Sequence, residues 1–175
     1  MSKYRKLTVS GLCLAICIIL PFFTGQIPVV GKMLSPMHLP VFLCGFLCGP
    51  VWGLAVGFIA PFLRTLIAGA PAFYPTAIAM AAELATYGAV CGLMYKILPK
   101  KIPYIYLSLI ISMVAGRAVW GIMRFVLTGF NATEFPFSAF LAGAFINAVP
   151  GIIVQLIVIP LAVCSLTQTE WRAKS

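Results

Sequence analysis

The sequence predicts an all-α integral membrane protein, a compact bundle of six transmembrane helices with both termini inside and a pocket facing outward. Three observations carry this prediction. The 175 residues are 62% hydrophobic and only 9% charged, whereas a soluble domain is about 25% charged. The apolar residues fall into six runs joined by short connections. Lysines and arginines gather at alternate ends of those runs, as the positive-inside rule describes.

The elements follow in order. The opening MSKYRK and its apolar run have a signal-peptide look. No A-x-A-type cleavage site follows a short apolar core, and Pro21 comes too late, so the segment reads as span 1, about Leu7 to Phe23. Thr24 to Pro36 is a polar loop punctuated by glycine and proline. Span 2, about Met37 to Cys48, is short. It breaks at Gly49-Pro50 and resumes as span 3, about Val51 to Ala68. The second outer loop, Gly69 to Pro75, reads GAPAFYP. Span 4 runs from about Thr76 to Leu98 and span 5 from about Tyr104 to Thr128. A third loop, Gly129 to Pro136, leads to span 6, about Phe137 to Leu166. A spanning helix takes about 20 residues, so residues 1–175 make a single transmembrane domain with no room for a soluble one.

Topology comes from the basic residues. Lys3, Arg5 and Lys6 precede span 1, Lys96, Lys100 and Lys101 follow span 4, and Arg172 and Lys174 follow span 6. With six spans these places share one side, the cytoplasm. The opposite loops hold only Lys32 and Glu134. The expected location is the plasma membrane, multi-pass, with both termini cytoplasmic. The net charge of +9 reflects these basic ends and does not suggest a nucleic-acid partner, because the charges are not interleaved on a solvated face.

Three arginines lie within the apolar segments, Arg64, Arg117 and Arg124, with Glu83 the one acidic residue at comparable depth. A cation in hydrocarbon costs at least roughly 2.5 kcal/mol, so such residues usually face a bundle interior or a wet cavity. Arginine stays charged and presents a planar fork that fits a carboxylate or phosphate. Arg117 and Arg124 are seven residues apart, nearly two helical turns, and so share a face. Arg64 lies near the outer end of span 3, and Asn147 enters span 6 to a similar depth. These groups converge on one cavity in the outer half of the bundle, beneath the long loops. Structural roles stand beside the binding ones. Glu83 neutralises an arginine or meets substrate, Arg124 snorkels to headgroups or faces the cavity, and Asn147 satisfies backbone freed by Pro150 or binds ligand. His38 at the start of span 2 is a cap or interface residue or a proton carrier, and is counted among the candidate substrate-binding residues. Phe73 and Tyr74 close over a ligand or anchor their loop at the interface.

The chain lacks most catalytic sets. It has no G-x4-G-K-[ST] phosphate loop, no H-E-x-x-H, no G-x-S-x-G and no aspartate. No enzyme activity and no cofactor are expected. The six cysteines form no C-x-x-C pair and read as small buried hydrophobes, and no metal site is expected. Six spans without a cytoplasmic domain point to binding or passage, with energy supplied by another subunit. Small residues recur at four-residue spacing, in Gly11-x3-Ala15, Gly45-x3-Gly49-x3-Gly53-x3-Gly57 and Gly88-x3-Gly92, a pattern that lets membrane helices approach closely.

On these features the chain resembles, over essentially its whole length, the substrate-binding S components of energy-coupling factor (ECF) transporters, the vitamin-uptake systems of prokaryotes. The segment PMHLPVFLCGFLCGPVWGLAVG, Pro36 to Gly57, looks like the family's proline, spaced glycines and Gly-Pro turn between spans 2 and 3. Gly11-x3-Ala15 lies where the family carries Ala-x3-Ala on the surface that packs against the coupling subunit. Where many members have an acidic residue after the span 3 glycines, this chain has Ala60-Pro61. The resemblance implies a binder that captures a vitamin from outside, under loops 1 and 3, and docks on a transmembrane coupling subunit carrying two ATPase subunits. The arginines favour a carboxylate-bearing cargo of the pantothenate or folate class. An ion-coupled secondary transporter would usually need more titratable carboxylates than Glu83, and a non-transporting membrane scaffold would not need converging arginines.

Overall fold

A computed structural model describes residues 2–24, 36–128 and 149–172. It is all-helical over these residues. In order come α1 (Lys3–Thr24), α2 (His38–Cys48), α3 (Pro50–Ala68), a π-helical turn (Phe73–Ala77), α4 (Ile78–Ile97), α5 (Ile102–Leu127) and α6 (Val149–Arg172). All but α2 are long and apolar enough to cross a membrane, α4 when counted with its π turn. At 1.5 Å per residue α2 reaches only about 16 Å, roughly half the hydrocarbon thickness. Span 1 starts earlier than the sequence suggests, at Lys3, and span 6 continues to Arg172. Most of the first outer loop, the third loop, the start of expected span 6 and Asn147 lie outside the described residues.

The breaks have local causes. Gly49 adopts φ +97°, a region that disfavours a Cβ. Its N–H still closes on the Gly45 carbonyl at 3.0 Å. Pro50 then starts α3 where a missing N–H costs nothing. Gly69 ends α3 in the left-handed conformation, and its N–H reaches the Thr65 carbonyl at 2.9 Å. The Thr65 hydroxyl lies 2.8 Å from the Pro71 carbonyl and fastens the following loop back onto α3. The Ala77 N–H donates to Ala72 O at 2.9 Å, the wide i−5 bond of the π turn. Pro103 stands in the first turn of α5.

The helices run with alternating direction between two ends. The Cys48 thiol lies 3.7 Å from the Lys6 carbonyl, so α2 finishes beside the start of α1. The Arg64 guanidinium lies 5.7 Å from the Phe22 ring centroid, so α3 finishes beside the end of α1. Lys3, Lys6, Lys96 and Lys100 therefore mark one end of the bundle, and Arg64 and Arg124 lie toward the other.

Close backbone contact holds the centre. A Cβ built on Gly53 would stand 2.6 Å from Gly88 O, one on Gly88 2.2 Å from Gly53 O, and one on Gly57 2.3 Å from Leu84 O. α3 and α4 thus touch main chain to main chain, which any larger residue would prevent. In a bilayer, where lipid is as apolar as leucine, such van der Waals approach is what drives helices together. Cys13, Cys17, Cys44, Cys48 and Cys91 are buried. Cys44 Sγ lies 3.4 Å from Ser10 Oγ and Cys17 Sγ 3.5 Å from Met37 O, packing α1 against α2. Large side chains such as Leu54, Phe58, Ile67, Ile110 and Val114 are exposed on the outer surface, as a lipid-facing surface demands. Gly11, by contrast, has nothing within 4 Å of an added Cβ, and Ala15 is also exposed.

The two glycine classes should separate on mutation. Gly88→Leu forces the α3–α4 backbones apart and should destabilise by about 3 kcal/mol or more, seen as loss of monodisperse protein in detergent chromatography. Gly11→Leu should elute and unfold as the wild type does.

Candidate functional site

The buried polar centre is built on one face of α4. Glu83, 2% exposed, sits one helical turn before Tyr87, and the Tyr87 hydroxyl donates to Glu83 Oε1 at 2.7 Å. From α5, Arg117 Nη1 reaches the same carboxylate oxygen at 3.0 Å. From the first turn of α2, His38 Nε2 lies 3.7 Å from it. The His38 ring packs on Tyr87 at 5.3 Å between centroids, and Phe42 packs on Tyr87 at 4.9 Å. Three helices thus meet on one carboxylate. Gly116 makes room for this: a Cβ there would lie 2.2 Å from the Tyr87 ring. The arrangement answers the cost of burial, because a charge in a low-dielectric interior persists only when paired and hydrogen-bonded.

The other expected residues are spread along the arginine end. Arg124, one face with Arg117, directs Nη1 toward Thr76 Oγ1 at 3.4 Å, linking α5 to the turn before α4. Arg64 lies over Phe22, and its Nη1 is buried with no hydrogen-bond partner among the described residues. The Tyr74 hydroxyl donates to the Leu127 carbonyl at the end of α5, and Phe73 packs on Phe62 with centroids 5.6 Å apart. Both rings therefore fasten the 69–75 loop to α3 and α5 while remaining more than half exposed. Gly11 and Ala15 stand apart from all of these, on the exposed face of α1.

A cavity of about 150 Å³ lies between α5 and α6 beside this centre, with Tyr87, Arg117, Met113 and Gln155 among its lining. Arg117 therefore belongs both to the ion pair and to the residues around the cavity. Tyr87, Thr76 and Gln155 were not anticipated from the sequence. Tyr87 carried a signal, its i+4 spacing from Glu83. Gln155 carried another, as the lone amide in the apolar run from Val149 to Cys164. Among the described residues no group of histidine, cysteine or carboxylates could hold a metal ion.

A helical membrane bundle that spends an ion pair, a histidine and a tyrosine at its centre, next to a cavity, has the build of a membrane binding or transport protein. The family model described as ECF transporter, substrate-specific component, matches residues 5–163. The chain belongs to that family and is a subunit of a transporter, not an enzyme. No curated protein and no solved structure matches it.

Breaking the pair from one side should be worse than removing it whole. Arg117→Ala leaves Glu83 buried without its cation and should cost about 3–5 kcal/mol. Arg117→Leu combined with Glu83→Leu should recover most of that stability. Thermal unfolding of the three proteins in one detergent measures the difference, and additive losses would show that the two side chains do not act as a pair.

Proposed function

We propose that this S component captures a small carboxylate-bearing micronutrient at the arginine end of the bundle and delivers it to an ATP-driven coupling module. The observation that carries the anionic cargo is Arg64. Its charge lies at the end of α3 with a buried nitrogen lacking a hydrogen-bond partner among the described residues, and guanidinium is the group that pairs best with carboxylate. The balance of charge favours the same reading. Among the described residues that end holds Arg64, Arg117 and Arg124 against Glu83, three cations to one carboxylate. Glu83 stands against Arg117, so in this reading its role is to hold that arginine, and Arg64 and Arg124 meet the cargo. Phe73 and Tyr74 border the same end from the 69–75 loop, and Asn147 and His38 complete the proposed set. His38 acts through Glu83.

Orientation and partners follow from the same frame. The lysine-rich end is cytoplasmic by the positive-inside rule, which sets the arginine end outward where cargo arrives. The bundle acts as one transmembrane domain. The open face around Gly11 and Ala15 is the proposed contact with the transmembrane coupling subunit, to which two ATPase subunits attach. Gly11 has nothing within 4 Å of an added Cβ and Ala15 is exposed, so a partner helix could approach α1 closely there.

Two experiments test this. Small molecules released by denaturing protein purified from native membranes are identified by mass spectrometry. A carboxylic acid is expected, and Arg64→Ala should retain at least tenfold less of it, since a charge-assisted contact contributes about 1.5–3 kcal/mol. A neutral or cationic cargo, or undiminished retention, rejects the anionic reading. For coupling, Gly11→Leu and Ala15→Trp should keep the cargo bound yet abolish its uptake by cells that carry the whole transporter. Normal uptake by both would remove the α1 face from the contact.

A further inference from the structure

One face of α5 is an apolar stripe with lysines at its foot. Pro103, Leu107, Ile110 and Val114 recur at helical spacing and so share a face, and all of them are exposed. Toward mid-helix the stripe runs into the cavity between α5 and α6, where Ile110 and Val114 meet Ile152 and Leu156. That cavity opens onto the outer surface of the bundle, and its lining is almost wholly apolar. Arg117 borders it but is already paired with Glu83, so the space calls for no charge. The foot of the stripe is different. Lys96 stands in the last turn of α4, Lys100 and Lys101 form the connection to α5, and all three are exposed. The Lys100 ammonium lies 5.9 Å from the Tyr95 ring centroid, and Tyr95 packs edge-on against Phe46 at 5.1 Å. The ring thus holds this charge against the bundle. Glu83 is buried far from here, and Glu170 and Arg172 at the end of α6 offset one another, which leaves the lysine patch with a net positive charge.

Depth and width select the occupant. At 1.5 Å per residue, Ile110 and Val114 lie about 13 and 20 Å along α5 from Lys101. Half the hydrocarbon core is about 15 Å thick, so an acyl chain anchored beside Lys101 ends at the cavity. The cavity volume of about 150 Å³ suits an apolar group of benzene size, such as the end of such a chain. A second copy or a partner helix, about 10 Å across, is too wide for it and leaves the lysines unexplained. We propose that an anionic phospholipid of the leaflet at the lysine end binds this face of α5. Its phosphate pairs with Lys101, with Lys96 and Lys100 beside it, one acyl chain lies along Pro103 and Leu107, and the end of that chain fills the α5–α6 cavity. The lipid closes an apolar gap next to the Glu83–Arg117 pair and keeps water from it, which strengthens the pair. This site is separate from the capture of cargo at the arginine end and does not rest on it.

Phosphatidylglycerol and phosphatidylcholine carrying the same acyl chains, one of them tipped with a diazirine, differ only in headgroup. Each is added as a minor component to the intact protein in phosphatidylcholine nanodiscs and photolysed, and the labelled peptides are read by mass spectrometry. The phosphatidylglycerol probe should label the α5 and α6 segments that carry Ile110, Val114 and Ile152 about tenfold more than the phosphatidylcholine probe does, since each lysine near an anionic lipid adds severalfold in affinity. Lys100→Gln combined with Lys101→Gln should bring that labelling down to the phosphatidylcholine level. Both side chains are exposed, so the unfolding temperature in lipid-free detergent should not change. Val114→Trp, at a position that is 60% exposed and so tolerant of bulk, should fill the mouth of the cavity and abolish labelling there. It gives the decisive reading if the lysine variant does not fold. Equal labelling by the two probes, label spread over all the lipid-facing helices, or full labelling in either variant overturns the proposal. The measurement contains no cargo, so its failure leaves the anionic-cargo reading in place, and a cargo that ignores Arg64→Ala leaves the lipid site in place.

Discussion

One carboxylate organises the interior. Glu83 cannot face lipid and cannot sit unpaired in the core, so its burial obliges the surrounding helices to bring polar groups to it. Arg117 comes from α5, Tyr87 from its own helix and His38 from α2. The constraint propagates outward. Tyr87 must lie flat against α5, which requires Gly116 opposite its ring. α4 must run close to α3 for the rest of its length, which the Gly53–Gly88 contact permits. A short α2 is tolerated because its first residue, His38, ends at this centre, and its last turn is closed by the Gly49-Pro50 break. Hydrophobic burial contributes little to choosing such an arrangement in a membrane, since lipid competes for every apolar face. The ion pair and the glycine contacts are the specific terms that remain.

In the proposed function the same pair stands between folding and binding. Arg117 holds the core together through Glu83 and also lines the cavity. A substitution there changes both, so a lost activity at Arg117 has two readings. Arg64 differs in this respect. Its Nη1 is buried without a hydrogen-bond partner among the described residues, and the guanidinium rests over the Phe22 ring of α1. Side chains that the fold does not use are the ones whose removal speaks for a ligand.

Most of the architecture was legible in the sequence because the bilayer makes few demands and makes them strictly. Run length, the Gly49-Pro50 break and the position of lysines were enough to place spans 1 to 5 within a few residues of the helices described, span 2 as a short one included, while the start of expected span 6 lies outside the described residues. The shared face of Arg117 and Arg124 followed from spacing alone. The partners of these residues did not. Helical spacing shows which way a side chain points along its own axis but not what stands opposite, and the α4–α5 packing that brings Glu83 to Arg117 includes the close approach of Gly116 to the Tyr87 ring. Tyr87 was passed over because a tyrosine in a span reads first as an apolar residue, and Gln155 because a single amide in an apolar run has no partner in sequence to give it meaning. Asn147 and the long outer connections lie outside the described residues, so the sequence reading of them stands as an expectation.

The bundle also distributes its small residues by purpose. Gly45, Gly53, Gly57, Gly88 and Gly92 each face backbone within 3 Å of an added Cβ, whereas Gly11 faces nothing within 4 Å. By sequence these belong to one class of four-residue repeats. In three dimensions one group is consumed by internal packing and the other is left open on α1. A glycine costs a helix about 1 kcal/mol relative to alanine, and inside the bundle the close approach of α3 and α4 offsets that cost. On α1 no internal contact does so. Chance and partner contact are the two ways such a residue persists, and Ala15 one turn further along the same exposed face favours contact. A shallow, small-residue strip beside bulky Leu12 and Ile16, both exposed, is a surface that another membrane helix can approach closely and that lipid chains fill poorly. In the proposed coupling, the face that the fold leaves unused is the one this transporter subunit offers to its ATP-hydrolysing partners.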